Sequence, residues 1–178
     1  MLRIIILLLV SANCFGQSLE TQTAKLVHHP HSPAAKTVKS LSLGRCMVQV
    51  PVTAINKRTG TIDSDRGVVT VYGSKQHNKA KAIPDTFMIY YDIGFMAGKH
   101  MDSAFKKDCS YFSEKMINGY KAAIGLKKKD NKTEIIVSIW GDYKKEKGDL
   151  PANFWATVKD GHDVKTFLDV VFTFKKQQ

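Results

Sequence analysis

One pattern constrains this chain more than any other: apolar and β-forming residues recur with a period of two in short, separate runs. Cys46, Val48 and Val50 alternate with Met47, Gln49 and Pro51. Val68-Val69-Thr70-Val71-Tyr72, Thr86 to Ile93 and Thr133 to Trp140 are rich in β-branched and aromatic residues. Turn-forming residues bound them, as strands require. A period of two turns alternate side chains to opposite faces, so each run reads as a strand with one face in a core. Gly44 predicts a bend between two strand segments, and Pro51 predicts the end of the second. Tyr120 to Lys127 and Thr133 to Trp140 read as the arms of a hairpin, with Lys128-Lys129-Asp130-Asn131-Lys132 as its turn. Ala54 to Gly67 is rich in turn residues and predicts another hairpin turn.

The period changes between Met101 and Met116. Met101, Phe105, Cys109, Phe112 and Met116 are spaced 4, 4, 3 and 4 apart, which predicts one face of an amphipathic helix. Asp102 or Ser103 would cap its start, and Asn118-Gly119 would stop it. Pro151 to Val158 fits a short helix or a strand anchored by Phe154 and Trp155. Val164 to Phe174 satisfies both periods, which predicts a helical turn leading into a last strand. Clusters of strands around one helix, without regular β–α alternation, predict an α+β fold. The expectation is a mostly antiparallel sheet packed on one main amphipathic helix, in a single domain over residues 36–178.

The first residues point to a compartment. Met1-Leu2-Arg3 places one positive charge before an apolar run from Ile4 to Val10, and Ser11-Ala12-Asn13-Cys14-Phe15-Gly16 follows. A basic start, an apolar middle and small residues at the cut make the order of a secretory signal. The run is far shorter than the about 20 residues that span a bilayer. Residues 1–16 are therefore expected to be a signal peptide, cleaved after Gly16. Residues 17–35, with few large apolar side chains and with Pro30 and Pro33, are expected to be a flexible tether. The expected location is periplasmic or extracellular. Lipidation of Cys14, giving an outer-membrane lipoprotein, is the alternative. Ser11 and Asn13 stand where a lipoprotein signal prefers a branched apolar residue and a small one, which favours soluble export.

Export changes how the remaining composition reads. Cys46 and Cys109 become a candidate disulfide in an oxidising compartment; the alternative is two buried thiols packed as small hydrophobes. The net charge is +11, which draws the protein towards acidic protein partners or an anionic membrane surface. Outside the cytoplasm, nucleic acid is not an expected partner. The lysines are spread over Lys106-Lys107, Lys127-Lys128-Lys129, Lys144-Lys145 and Lys175-Lys176, the pattern of a solvated basic surface.

No arrangement of residues carries a recognisable chemistry. The chain has no Gly-x-Ser-x-Gly elbow, no His-Glu-x-x-His pair and no phosphate-cradling glycine loop. His77, His100 and His162 have no acid or nucleophile pattern beside them. Cys109 falls on the apolar face of the expected helix, where thiols are inert. His28, His29 and His31 are close enough to catch a metal ion, but such a cluster in a tether seldom binds one specifically. Asp63-Ser64-Asp65 has the spacing of a calcium loop without its further acidic ligands. Asn131-Lys132-Thr133 is a glycosylation acceptor sequence, relevant only to a eukaryotic secretory pathway. Trp140, Tyr143, Phe154 and Trp155 could form a sugar- or peptide-binding platform, or the core and its edge. No catalytic residue, cofactor or metal is expected.

The segment Leu43-Gly44-Arg45-Cys46-Met47-Val48-Gln49-Val50-Pro51 resembles the N-terminal signature of bacterial immunity proteins that neutralise type VI secretion phospholipase effectors. In those proteins a Gly-Arg pair precedes an alternating strand and a proline. Gly44, Arg45, Val48, Val50 and Pro51 match. The resemblance implies an exported binding protein that blocks a toxin or effector enzyme in the periplasm, without being an enzyme itself. Two other classes stay open on the residues alone: an envelope-associated structural or ligand-binding protein, and a small exported hydrolase.

Overall fold

A computed structural model of the chain describes residues 17–29, 38–60, 64–72, 86–94, 103–140 and 151–177. The expected signal peptide, with Cys14, lies outside these residues, as do His31, His77, His100, Met101 and Tyr143. Ten strands and three helices are assigned among the described residues. The strands are β1 (Val38–Ser42), β2 (Cys46–Pro51), β3 (Ile55–Arg58), β4 (Ser64–Tyr72), β5 (Thr86–Gly94), β6 (Cys109–Ile117), β7 (Tyr120–Lys129), β8 (Lys132–Trp140), β9 (Ala152–Val158) and β10 (Lys175–Lys176). The helices are α1 (Leu19–His28), α2 (Ser103–Asp108) and α3 (Gly161–Val171).

The strands form a seven-stranded sheet, β3-β4-β5-β9-β8-β7-β6, and a three-stranded sheet, β1-β2-β10. Every pairing is antiparallel. The fold is therefore α+β and antiparallel, as the periodicity predicts. It is dominated by its sheets, however, and is not a sheet on one main helix. Helix α3 packs against both β2 and β9, and α1 packs against α3 and β6. One continuous core joins these layers. From the large sheet it takes Ile89, Tyr91, Ile124, Ile135, Val137 and Phe154; from the other layer come Val27, Val48, Val50, Phe167 and Leu168.

The helix predicted between Met101 and Met116 is a correction. Among the described residues of that range only Ser103–Asp108 is helical, and Cys109–Ile117 is the edge strand β6. Asn118-Gly119 is a hairpin turn, not a helix stop. Both residues have positive φ, 49° and 90°, as a two-residue type I′ turn demands, and Asn-Gly is the pair that adopts it most readily. Full pairing of β6 with β7 then outweighs the helical spacing. A second two-residue turn, Asp130-Asn131, closes the β7–β8 hairpin where that turn was expected. Of the Pro151–Val158 segment, Ala152–Val158 is strand β9, and the last segment is helix α3 followed by the short β10.

The tether expected over residues 17–35 gives way between Leu19 and His28 to α1. Ser18 caps it by accepting the Thr21 amide at 3.2 Å, and Thr23 and Val27 are fully buried. Two ion contacts fasten it. Lys128 on β7 pairs with Glu20 at 3.0 Å. Lys115 on β6 donates to the Val27 carbonyl at 2.6 Å, with its ammonium 4.3 Å above the Phe172 ring. A carboxylate thus sits at the positive end of the helix and an ammonium at the negative end. Hydrogen bonding to its own backbone amide, and then to Lys128, holds the Glu20 carboxyl down at about 2.

Candidate binding face

The Gly44–Pro51 segment is structural. Gly44 and Arg45 form the turn between β1 and β2, closed by the Leu43 amide donating to the Cys46 carbonyl at 2.9 Å. Gly44 has φ +93°, and a Cβ there would lie 2.0 Å from an Asp65 carboxylate oxygen. That same carboxylate accepts the Arg45 amide at 3.2 Å and pairs with Arg58 at 2.5 Å. The Arg45 carbonyl accepts the Gln177 amide at 2.9 Å. The glycine-arginine turn therefore locks the three-stranded sheet to β4 and to the C-terminal segment. Beyond it, Val48 and Val50 point into the core, and Pro51 ends β2. The bend predicted at Gly44 is this turn.

The cysteines stand apart. Cys46 and Cys109 are both free thiols, so the candidate disulfide does not form here: one lies on the middle strand of the small sheet, the other on the edge strand of the large one. Burial, followed by the nearby Asp65 charge, pushes the Cys46 thiol up to about 12. Burial also raises Cys109, against the opposing pull of Lys127. Neither is an activated nucleophile. His28 and His29 are exposed at the end of α1 and His162 is exposed on α3. No group of three metal-ligating side chains occurs among the described residues. Of the calcium-like run, Asp65 is spent on Arg58 and Arg45. The lysine run of β7 is partly neutralised, Lys127 by Asp108 at 2.8 Å and Lys128 by Glu20.

What the pairing does bring together lies on the other face of the large sheet, away from α1 and α3. Strand register aligns Ile55 with Thr70 and Met88, and Lys57 with Val68, Tyr90 and Trp155. A third row aligns Arg66, Asp92, Asn153 and Ser138. At the β3–β5 wing this face is uncovered: Ile55 is 58% exposed, Met88 44% and Tyr90 39%. Tyr90 stacks on Trp155 with ring centroids 5.9 Å apart, and its hydroxyl donates to the Met88 sulfur at 3.6 Å. Lys57 and Arg66 are exposed beside them.

Beyond Arg66, the third row is polar and buried. Asn153 and Ser138 hydrogen-bond at 2.5 Å. Asp92 is an ionisable group with a side chain only 7% exposed; its Oδ2 forms an ion pair with Arg66 Nε at 3.0 Å, and among the described residues its buried Oδ1 has no hydrogen-bond partner. Burying a carboxylate is costly unless it is paired, and the ion pair with Arg66 is what offsets that cost for Asp92.

Of the aromatic platform expected from sequence, Trp140 and Trp155 lie half-buried on this outer face, while Phe154 is in the core. Neighbours on a strand face opposite ways, so Phe154 and Trp155 could never have shared one surface. Ile55, Met88, Tyr90 and Arg66 were not expected from sequence, because their proximity depends on pairing across β3, β4 and β5. Comparisons with family models, with curated proteins and with solved structures find no match.

Proposed function

We propose that this is an exported inhibitor that neutralises a toxin by binding it, an immunity protein of the kind that the Gly44–Pro51 segment resembles. The observation that carries the reading is the uncovered wing of the large sheet. Ile55, Met88 and Tyr90, the Tyr90–Trp155 stack and the flanking Lys57 and Arg66 combine the residue types that anchor protein interfaces: aromatic rings, methionine and arginine. A sheet packed on one side by helices holds such a surface rigid, so little is lost to ordering on association. The basic balance of the chain supports steering to an acidic enzyme surface.

The test is co-expression in the periplasm with each toxin encoded beside this chain in its native host, followed by affinity capture. Restored growth with a one-to-one complex is expected. Absence of protection against every such toxin would remove the reading. Salt-sensitive binding to anionic vesicles with no protein partner would replace it with an envelope-surface role.

A further inference from the structure

We infer that Arg66 is the anion-recognition anchor of the β3–β5 wing and that it takes a carboxylate from an acidic protein partner. The inference rests on the binding reading above and specifies its chemistry. Arg66 and Asp92 face each other across β4 and β5. The Arg66 side chain is 52% exposed, and its Nε lies 3.0 Å from the buried Asp92 carboxylate as an ion pair. Pairing through Nε leaves the terminal nitrogens of this half-exposed side chain available to an outside ligand. A planar fork of that kind matches a carboxylate with two parallel hydrogen bonds. Asp92 is the positioning residue: it stays inside and sets the direction of the fork.

The surroundings select the occupant. Tyr90, Met88 and Ile55 offer an apolar floor next to the fork, exposed in the free protein. A protein segment with an acidic residue beside aliphatic ones covers both, whereas a lipid headgroup would bring charge alone to a floor that needs covering. A second copy of this chain is disfavoured, because the wing would bring Lys57 and Arg66 against their own counterparts.

A displayed random-peptide library panned on the purified protein tests this without knowledge of the partner. Enrichment of peptides with Asp or Glu next to aliphatic residues is expected. Their affinity should fall about tenfold or more in Arg66→Glu. Arg66→Lys, which keeps the charge and loses the fork, should weaken binding by a smaller factor. In Asp92→Asn, which removes the ion-pair charge, the Arg66 Nε NMR resonance should shift and peptide affinity should fall. Lys39→Glu, on β1 in the other sheet, should bind as the unaltered protein does. Enriched peptides lacking acids, equal binding by Arg66→Glu, or no enrichment would overturn the inference. So would Arg66-dependent binding to phosphatidylglycerol vesicles in place of peptides, or concentration-dependent dimers in sedimentation. Failure of toxin protection with acidic peptides still selected would sink the proposed function alone.

Discussion

Tyr90 and Tyr91 are neighbours on β5 with opposite fates. Tyr91 is 1% exposed, its hydroxyl donates to Asn56 at 3.1 Å, and burial pushes its phenol above the usual range. Tyr90 lies on the outer face, stacked on Trp155. Phe154 and Trp155 repeat the contrast on β9. The pleat turns each adjacent pair to opposite faces, so one sheet presents two chemistries: an inner face closed by α1, α3 and the small sheet, and an outer wing left uncovered. Inner-face residues should therefore govern stability, and wing residues should govern association.

The sharpest way to break this division is to truncate the two faces separately. Phe154→Ala should destabilise by about 3–5 kcal/mol through the cavity it leaves. Trp155→Ala should cost less, about 1–2 kcal/mol, since its ring is only partly buried and stacks on the exposed Tyr90. Urea unfolding of both variants checks the ratio; equal costs would mean that the outer face is as closed as the inner one. Next comes the lock between the two sheets. Gly44→Ala must hold alanine at positive φ and displace the Asp65 carboxylate, and should cost about 1–3 kcal/mol by thermal or urea unfolding.

Smaller effects test how the inner layer is fastened. Lys115→Met keeps an apolar stem but removes the ammonium from the last turn of α1. A loss of about 1 kcal/mol is expected, with faster amide exchange in α1 than in α3. Glu20 gives a pH signature. Its folded value, about 2, lies below the ordinary value of 4.5, so its contribution is complete above about pH 4.5 and is lost as pH falls towards about 2. Stability curves of the protein and of Glu20→Gln should differ at neutral pH and converge over that interval.

Much of the fold was legible because its determinants are local. Alternation over Cys46–Val50 and the runs at 68–72, 86–93 and 133–140 reported strands directly, and Asp130-Asn131 reported its turn. The segment 109–117 misled because Cys109, Phe112 and Met116 fit a helical stripe, while its true inward set, Tyr111, Ser113, Lys115 and Ile117, includes a serine and a lysine. Only pairing with β7 and capping of α1 make sense of Lys115 on that face. Asn118-Gly119 held the correct signal for a hairpin. Helix α1 was hidden because its buried side includes Thr23, although Ser18 at the cap and the spacing of Leu19, Leu26 and Val27 would have marked it. The candidate face was not legible. Ile55 meets Met88 only through Thr70, and Arg66 meets Asp92 only through the β4–β5 register.

The central claim is that the uncovered wing, not the closed core, carries association with a toxin. The most direct measurement is periplasmic co-expression with any toxin found encoded beside this chain, comparing the unaltered protein with the double variant Met88→Glu/Tyr90→Ala at matched abundance and matched melting temperature. Restored growth is expected for the first and loss of protection for the second. Full protection by the stable double variant would contradict it.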